Sequence, residues 1–177
     1  ILVARYLGPE SYGLMNYVIS YVAIFSIIAT FGMDNIEIRE LSRQNDKKDA
    51  IMGTCFCLRM FFATIAYIVI AISLFYFQTD KFTSLMVLAY GLTLFTGTGN
   101  LLRNYFTSIV QNKYIVKSEM YRTFVGAGIK ILLLWIKAPL EYFIYAQIFD
   151  TALVASGYYL SYCLLYTSDA ADEARSV

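Results

Sequence analysis

The chain has no histidine, two prolines, three cysteines and only 15% charged residues in a length of 177. Without histidine there is no imidazole base, no histidine metal ligand and no side chain that ordinarily titrates near neutral pH. Three cysteines are too few for a disulfide framework. Cys55 and Cys57, two apart, would point to different faces of a helix and read as small apolar core residues. Ordinary soluble domains carry about 25% charged residues. A chain that is 59% hydrophobic and 17% aromatic holds more apolar surface than a water-soluble fold can hide, which places it in the integral membrane class. A net charge of +1 excludes a nucleic-acid binder on composition. No catalytic residue, metal site or cofactor motif stands out, so an enzyme is not expected.

What the chain does have is long apolar runs separated by short polar signals. Ile1 to Tyr6 reads as the end of a first transmembrane helix. Gly8-Pro9 stops it, because proline disfavours helix in the residue before it, and Pro9 suits the start of the next helix. That second span runs to about Phe31 and is closed by Gly32. Asp34 to Gln44 reads as a short interfacial helix, an elbow. Asp34 and Glu37 have the spacing of a capping box, with Ile36, Ile38 and Leu41 on the membrane surface and Glu37, Arg39, Glu40 and Arg43 toward water. A solvated loop is the plainer alternative.

A third span follows from Ala50 to Phe77, interrupted by Arg59, and Gln78 to Lys81 forms a polar turn. The fourth, Phe82 to Leu102, is weakened by Thr96-Gly-Thr-Gly-Asn100, since glycine inside a helix costs about 1 kcal/mol against alanine. Arg103 to Arg122 is a polar connection made from the ends of two helices. The fifth span, Thr123 to Ile136, contains Lys130, and Lys137 to Glu141 turns the chain. The sixth, Tyr142 to Tyr162, contains Asp150. The expected fold is all-α: a polytopic membrane bundle of five near-complete transmembrane helices plus the end of a first one. The segments are too long for transmembrane β-strands and lack their alternation.

Residues 1–162 read as this bundle, an incomplete N-terminal one. From Cys163 to Val177 the composition changes abruptly, and "CLLYTSDAADE" resembles the translation of a sequencing adapter. That tail is set aside as non-native.

The charges give an orientation. Arg39, Arg43, Lys47 and Lys48 follow span two, and Arg103, Lys113, Lys117 and Arg122 follow span four. The other side carries Arg5, Lys81 and Lys137. The positive-inside rule then puts the elbow in the cytoplasm and the Gly8-Pro9 turn outside. Tyr12, Tyr76, Phe77, Trp135 and Tyr142, near span ends, fit an interfacial aromatic belt.

The opening "ARYLGPESYG", the apolar run and then "FGMDNIEIRELSRQ" resemble the N-terminal signature of bacterial polysaccharide and O-antigen flippases, of the multidrug/oligosaccharidyl-lipid/polysaccharide exporter superfamily. Arg5, Leu7, Gly8, Pro9, Glu10, Tyr12, Gly13, Gly32, Asp34, Arg39 and Glu40 carry the resemblance, with Leu58-Arg59 at its end. It is specific over roughly the first sixty residues. Members have twelve to fourteen helices in two six-helix bundles, so the chain would cover most of the first. The resemblance implies a multi-pass protein of the bacterial cytoplasmic membrane. It would flip an undecaprenyl-pyrophosphate-linked oligosaccharide outward by alternating access, in partnership with a second bundle and membrane lipids, without a cofactor.

Charges at membrane depth are expensive and mark function by default. Arg59 and Lys130 are the cavity candidates for a phosphate or sugar acid, and Gly126, one turn before Lys130, leaves room beside it. The alternative is that Lys130 snorkels and Arg59 sits near the interface. Asp150 is either a counter-charge or coupling site, or a salt-bridge partner of Lys130. Asp34, Arg39 and Glu40 either fix the elbow or gate the cytoplasmic mouth. A lipid II flippase shares the fold and cationic cavity. A drug/cation antiporter would want acidic residues in this bundle. A membrane-bound transferase would need a base and longer loops. A structural membrane subunit is the remaining alternative.

Overall fold

Gly8 and Gly32 set the course of the first forty residues. The computed structural model describes residues 2–43, 47–77 and 80–175. In it, α1 (Leu2–Thr30) breaks at Gly8, whose φ of 74° and ψ of 172° are not helical. Glycine adopts that φ without the clash a Cβ would cause. Pro9 then opens the longer part of α1, where its missing N–H is not needed. The expected stop is therefore a kink rather than a loop. At the far end Phe31 and Gly32 both take positive φ, 45° and 67°, and the chain turns into α2 (Met33–Arg43). This is the expected elbow; Gln44, its last expected residue, lies outside the described residues.

Helix α3 (Lys48–Tyr76) runs back across the bundle. Gln78 and Thr79 of the expected turn lie outside the described residues. The next crossing is a stepped rod: α4 (Lys81–Gly91), α5 (Thr93–Thr96), a 3₁₀ turn at Gly97–Gly99 and α6 (Asn100–Ser108). The step falls where the sequence predicts a weakened helix. Thr93, Thr96 and Thr98 donate their hydroxyls to the carbonyls of Tyr90, Thr93 and Phe95, a local competition with the helix ladder that bends it.

The polar connection of 103–122 is indeed two helix ends, with only 109–111 between α6 and α7 (Asn112–Trp135). The ends of α6 and α7 use the same device. Val110 has φ 58°, its N–H donates to the Thr107 carbonyl at 3.1 Å, and that of Gln111 to the Phe106 carbonyl at 2.9 Å. Lys137, with φ 57°, repeats the pattern after α7, where Ala138 N–H reaches the Leu133 carbonyl at 3.0 Å. These are Schellman caps. Helix α8 (Leu140–Arg175) completes the fold and continues through the stretch set aside as a tail.

Every regular element among the described residues is helical. Four stretches are long and apolar enough to cross a membrane: Arg5–Arg43, Lys48–Tyr76, Lys81–Ser108 and Leu140–Leu165. Helix α7 contains the expected fifth span. At 1.5 Å per residue it is about 36 Å long, enough to cross, but Lys113, Lys117, Glu119, Arg122 and Lys130 keep it outside that set. Ile24, Ile27, Ile72, Phe75 and Phe124 project apolar surface outward, each more than 60% exposed. Such a surface suits lipid, not water.

The main core joins Val18, Val22 and Ala29 of α1 to Ala63, Ala66, Ile70 and Leu74 of α3, with Met86, Val87, Leu94 and Ile144 closing it. Ala63 and Ala66 let two helices approach closely, as membrane packing favours. A second cluster, Leu41, Tyr105 and Phe106, seats the elbow against α6.

Candidate functional site

Met33, Glu37 and Leu41 fall at i, i+4 and i+8 of α2, and all three are buried. Glu37 is therefore carried inward, not toward water, while Ile36 is 55% exposed. This corrects the expected face of the elbow. It also removes the capping box, because neither carboxylate turns back to the helix start. Glu37 and Asp34 both take Arg59 of α3. Arg59 Nε donates to Glu37 Oε1 at 2.6 Å and Nη2 to Glu37 Oε2 at 2.7 Å. Nη2 also donates to Asp34 Oδ1 at 2.5 Å. Asn104 of α6 adds its amide N–H₂, donating to Asp34 Oδ1 at 3.0 Å and Glu37 Oε2 at 2.7 Å. Arg59 is 2% exposed and Glu37 1%. The arginine is neither snorkelling nor presented as a bare cation; two carboxylates occupy its fork.

Arg39 and Glu40 play no part in this cluster. They pair with each other at 3.2 Å, and the Arg39 side chain is 65% exposed. Of the three elbow candidates only Asp34 reaches the bundle interior.

Lys130 and Asp150 meet between α7 and α8, Nζ donating to Oδ2 at 2.6 Å. Asp150 is buried and its Oδ1 has no hydrogen-bond partner among the described residues. The space beside Lys130 that Gly126 was expected to leave open is filled by this carboxylate: a Cβ on Gly126 would collide with it. Neither Lys130 nor Asp150 lines the central cavity.

That cavity, a partly open cleft of about 370 Å³, is lined by α1, α3, the stepped rod, α7 and α8. Ile19, Val22, Ala23 and Ala29 give it one apolar wall. The other walls carry Tyr90, Thr93, Thr96, Thr98, Asn100, Thr151 and Tyr158, with Arg59, Glu119 and Arg122. Tyr158, fully buried, donates its hydroxyl to Glu119 Oε1 at 2.8 Å, and Arg122 Nη1 lies 3.6 Å from Glu119 Oε2. Chemically it is a hydroxyl-rich chamber whose cations are each matched by a carboxylate.

Charge at membrane depth pointed to Arg59, Lys130 and Asp150, but it could not separate residues that face a cavity from residues that face one another. It passed over Glu119 and Arg122, which lie in what reads as a connection, and the threonines, which are uncharged. The spacing of Thr93, Thr96 and Thr98 inside an otherwise apolar span was the available signal.

No curated protein and no solved structure matches the chain. A family model described as "Polysaccharide biosynthesis protein" matches residues 1–172, a span that contains the elbow, the arginine cluster and every wall of the cavity. By that match the chain belongs to the polysaccharide biosynthesis protein family, whose members are transporter-like membrane proteins.

Proposed function

We propose that the chain is the first helical bundle of a flippase in the bacterial cytoplasmic membrane. It carries an undecaprenyl-pyrophosphate-linked oligosaccharide, the repeat unit of a surface polysaccharide such as O-antigen, from the inner to the outer leaflet. The observation that carries this reading is the cavity. A membrane helix bundle has no packing need for a cleft walled by Tyr90, five threonines, Asn100 and Arg122. Polar groups at that depth are expensive, and those that face a cavity mark the path of a solute. The exposed apolar exterior holds the bundle in lipid, while the polar interior shelters a hydrophilic cargo.

In this mechanism a second bundle packs against the first, and the pair rocks so that the cavity opens alternately to each side. The lipid tail of the substrate stays in the bilayer. Arg59 with Asp34, Glu37 and Asn104 ties the elbow to α3 and α6 and moves as one unit with them. Lys130 and Asp150 join α7 to α8 and orient the cavity wall from behind.

Deletion of the encoding gene in its host tests the reading. Surface polysaccharide should disappear while lipid-linked repeat units accumulate on the cytoplasmic face. Unchanged surface display would overturn it.

A further inference from the structure

The cavity's threonines have a property that selects among cargoes. Thr93, Thr98 and Thr151 each donate their hydroxyl to a carbonyl one turn back in their own helix at 2.7 Å, and Thr96 does so at 3.0 Å. A hydroxyl whose proton is committed offers only lone pairs to a ligand. Thr96 Oγ1 also donates to Thr151 Oγ1 at 3.3 Å across the gap between the stepped rod and α8, so the hydroxyl protons here are spent within the protein and the remaining lone pairs converge on one region. Phosphate and carboxylate oxygens are acceptors themselves and gain nothing there. Sugar hydroxyls are donors and fit.

The charges agree. Arg59 is held between Glu37 and Asp34, and Arg122 faces Glu119 one turn earlier on the same helix. Gly97 lines the same wall, and no atom lies within 4 Å of where its Cβ would stand. A sugar ring can therefore lie flat against the backbone at that point.

From this we infer that the threonine wall of the cavity receives the uncharged, hydroxyl-rich portion of the cargo rather than its phosphates or an acidic sugar. The inference rests on the glycan-carrier reading above and narrows it. Saturation-transfer NMR on the full chain in lipid nanodiscs, with maltotriose as a neutral probe and inorganic pyrophosphate as competitor, tests it. Maltotriose should be saturated, and equimolar pyrophosphate should not displace it. The signal should fall several-fold in Gly97→Leu, which fills the space. It should also fall in Thr96→Val/Thr98→Val, which keeps side-chain shape and removes the hydroxyls. No saturation, displacement by pyrophosphate, or an undiminished signal in the double valine variant overturns the inference. If the gene deletion leaves surface display intact, the transport reading itself fails. If display stops but pyrophosphate displaces maltotriose, only the neutral-cargo inference fails.

Discussion

Arg59 and Glu37 face each other through two parallel hydrogen bonds of 2.6 and 2.7 Å, with neither side chain open to solvent. A guanidinium fork on a carboxylate is the strongest ordinary arrangement of a buried pair. Its worth lies less in net stability than in the damage done by removing half of it. A buried pair roughly offsets its own desolvation, whereas a lone buried charge is left uncompensated. The cluster therefore fixes how the elbow sits on the bundle.

Arg59→Met should lower stability by about 3–5 kcal/mol, the range for breaking a buried ion pair from one side. Arg59→Met/Glu37→Leu should recover most of that loss, because no buried carboxylate is then stranded beside α3. Asp34→Asn should cost less than either single change at the buried pair, since the Asp34 side chain is half exposed. Thermal unfolding in detergent, with Glu37→Leu alone as the fourth variant, reads them all. Equal losses in the single and double variants would show that the pair does not act as a unit.

Much of this is legible in the sequence. The Gly8-Pro9 break, the elbow and the weakened helix at Gly97–Gly99 all arise from local chemistry that the residues state outright. The placement of charges is less legible. Arg59 reads as a membrane-depth cation, yet its partners are 22 to 25 residues earlier, Asn104 bonds those same carboxylates from α6, and only packing brings them together. Charge alone sends Glu37 to water, although Met33, Glu37 and Leu41 share a face. Periodicity is the better guide than polarity at that position, because the burial cost of Glu37 is met by Arg59 and Asn104.

At Gly126 the Asp150 side chain of α8 lies directly against α7. An added Cβ would meet both oxygens of the Asp150 carboxylate, which is tethered to Lys130 Nζ at 2.6 Å and has little freedom to retreat. Gly126→Ala should therefore destabilise the bundle by about 1–3 kcal/mol, the usual range for overpacking. Combined with Asp150→Ala, the loss should be clearly less than the sum of the two, since the second change removes the obstruction. Additive losses in thermal unfolding would mean that the two residues are not in contact.

Val110 offers the opposite sign. It holds φ of 58° at the cap after α6 and is 82% exposed, so its side chain contributes little packing to offset the strain of a left-handed backbone. Such strain costs an L-residue roughly 1–2 kcal/mol, and a β-branched side chain fits that region worst. Val110→Gly should raise the midpoint of thermal unfolding, with a gain on the order of 1 kcal/mol after glycine's larger unfolded-state entropy is subtracted. A lowered midpoint would show that the valine is held by contacts stronger than the strain.

The two ends of the bundle differ in charge, and that difference predicts how it sits in the membrane. At the end carrying the Gly8 kink, a cleft is lined by Glu10, Asp80 and Glu141, and the exposed rings of Tyr76, Phe77, Trp135 and Tyr142 stand at the ends of α3 and α7 and the start of α8. At the other end lie the elbow and the start of α7, with Arg39, Arg43, Lys113 and Lys117. Lysine and arginine are retained on the cytoplasmic side during insertion, while acidic residues contribute little. The acidic cleft should therefore face outward. In a background with Cys55, Cys57 and Cys163 replaced by alanine, a membrane-impermeant maleimide should modify Glu10→Cys in intact spheroplasts. Asn112→Cys, at the exposed start of α7, should react only after permeabilisation. Labelling in the reverse order would invert the topology, and with it the direction in which the cavity is proposed to move its cargo.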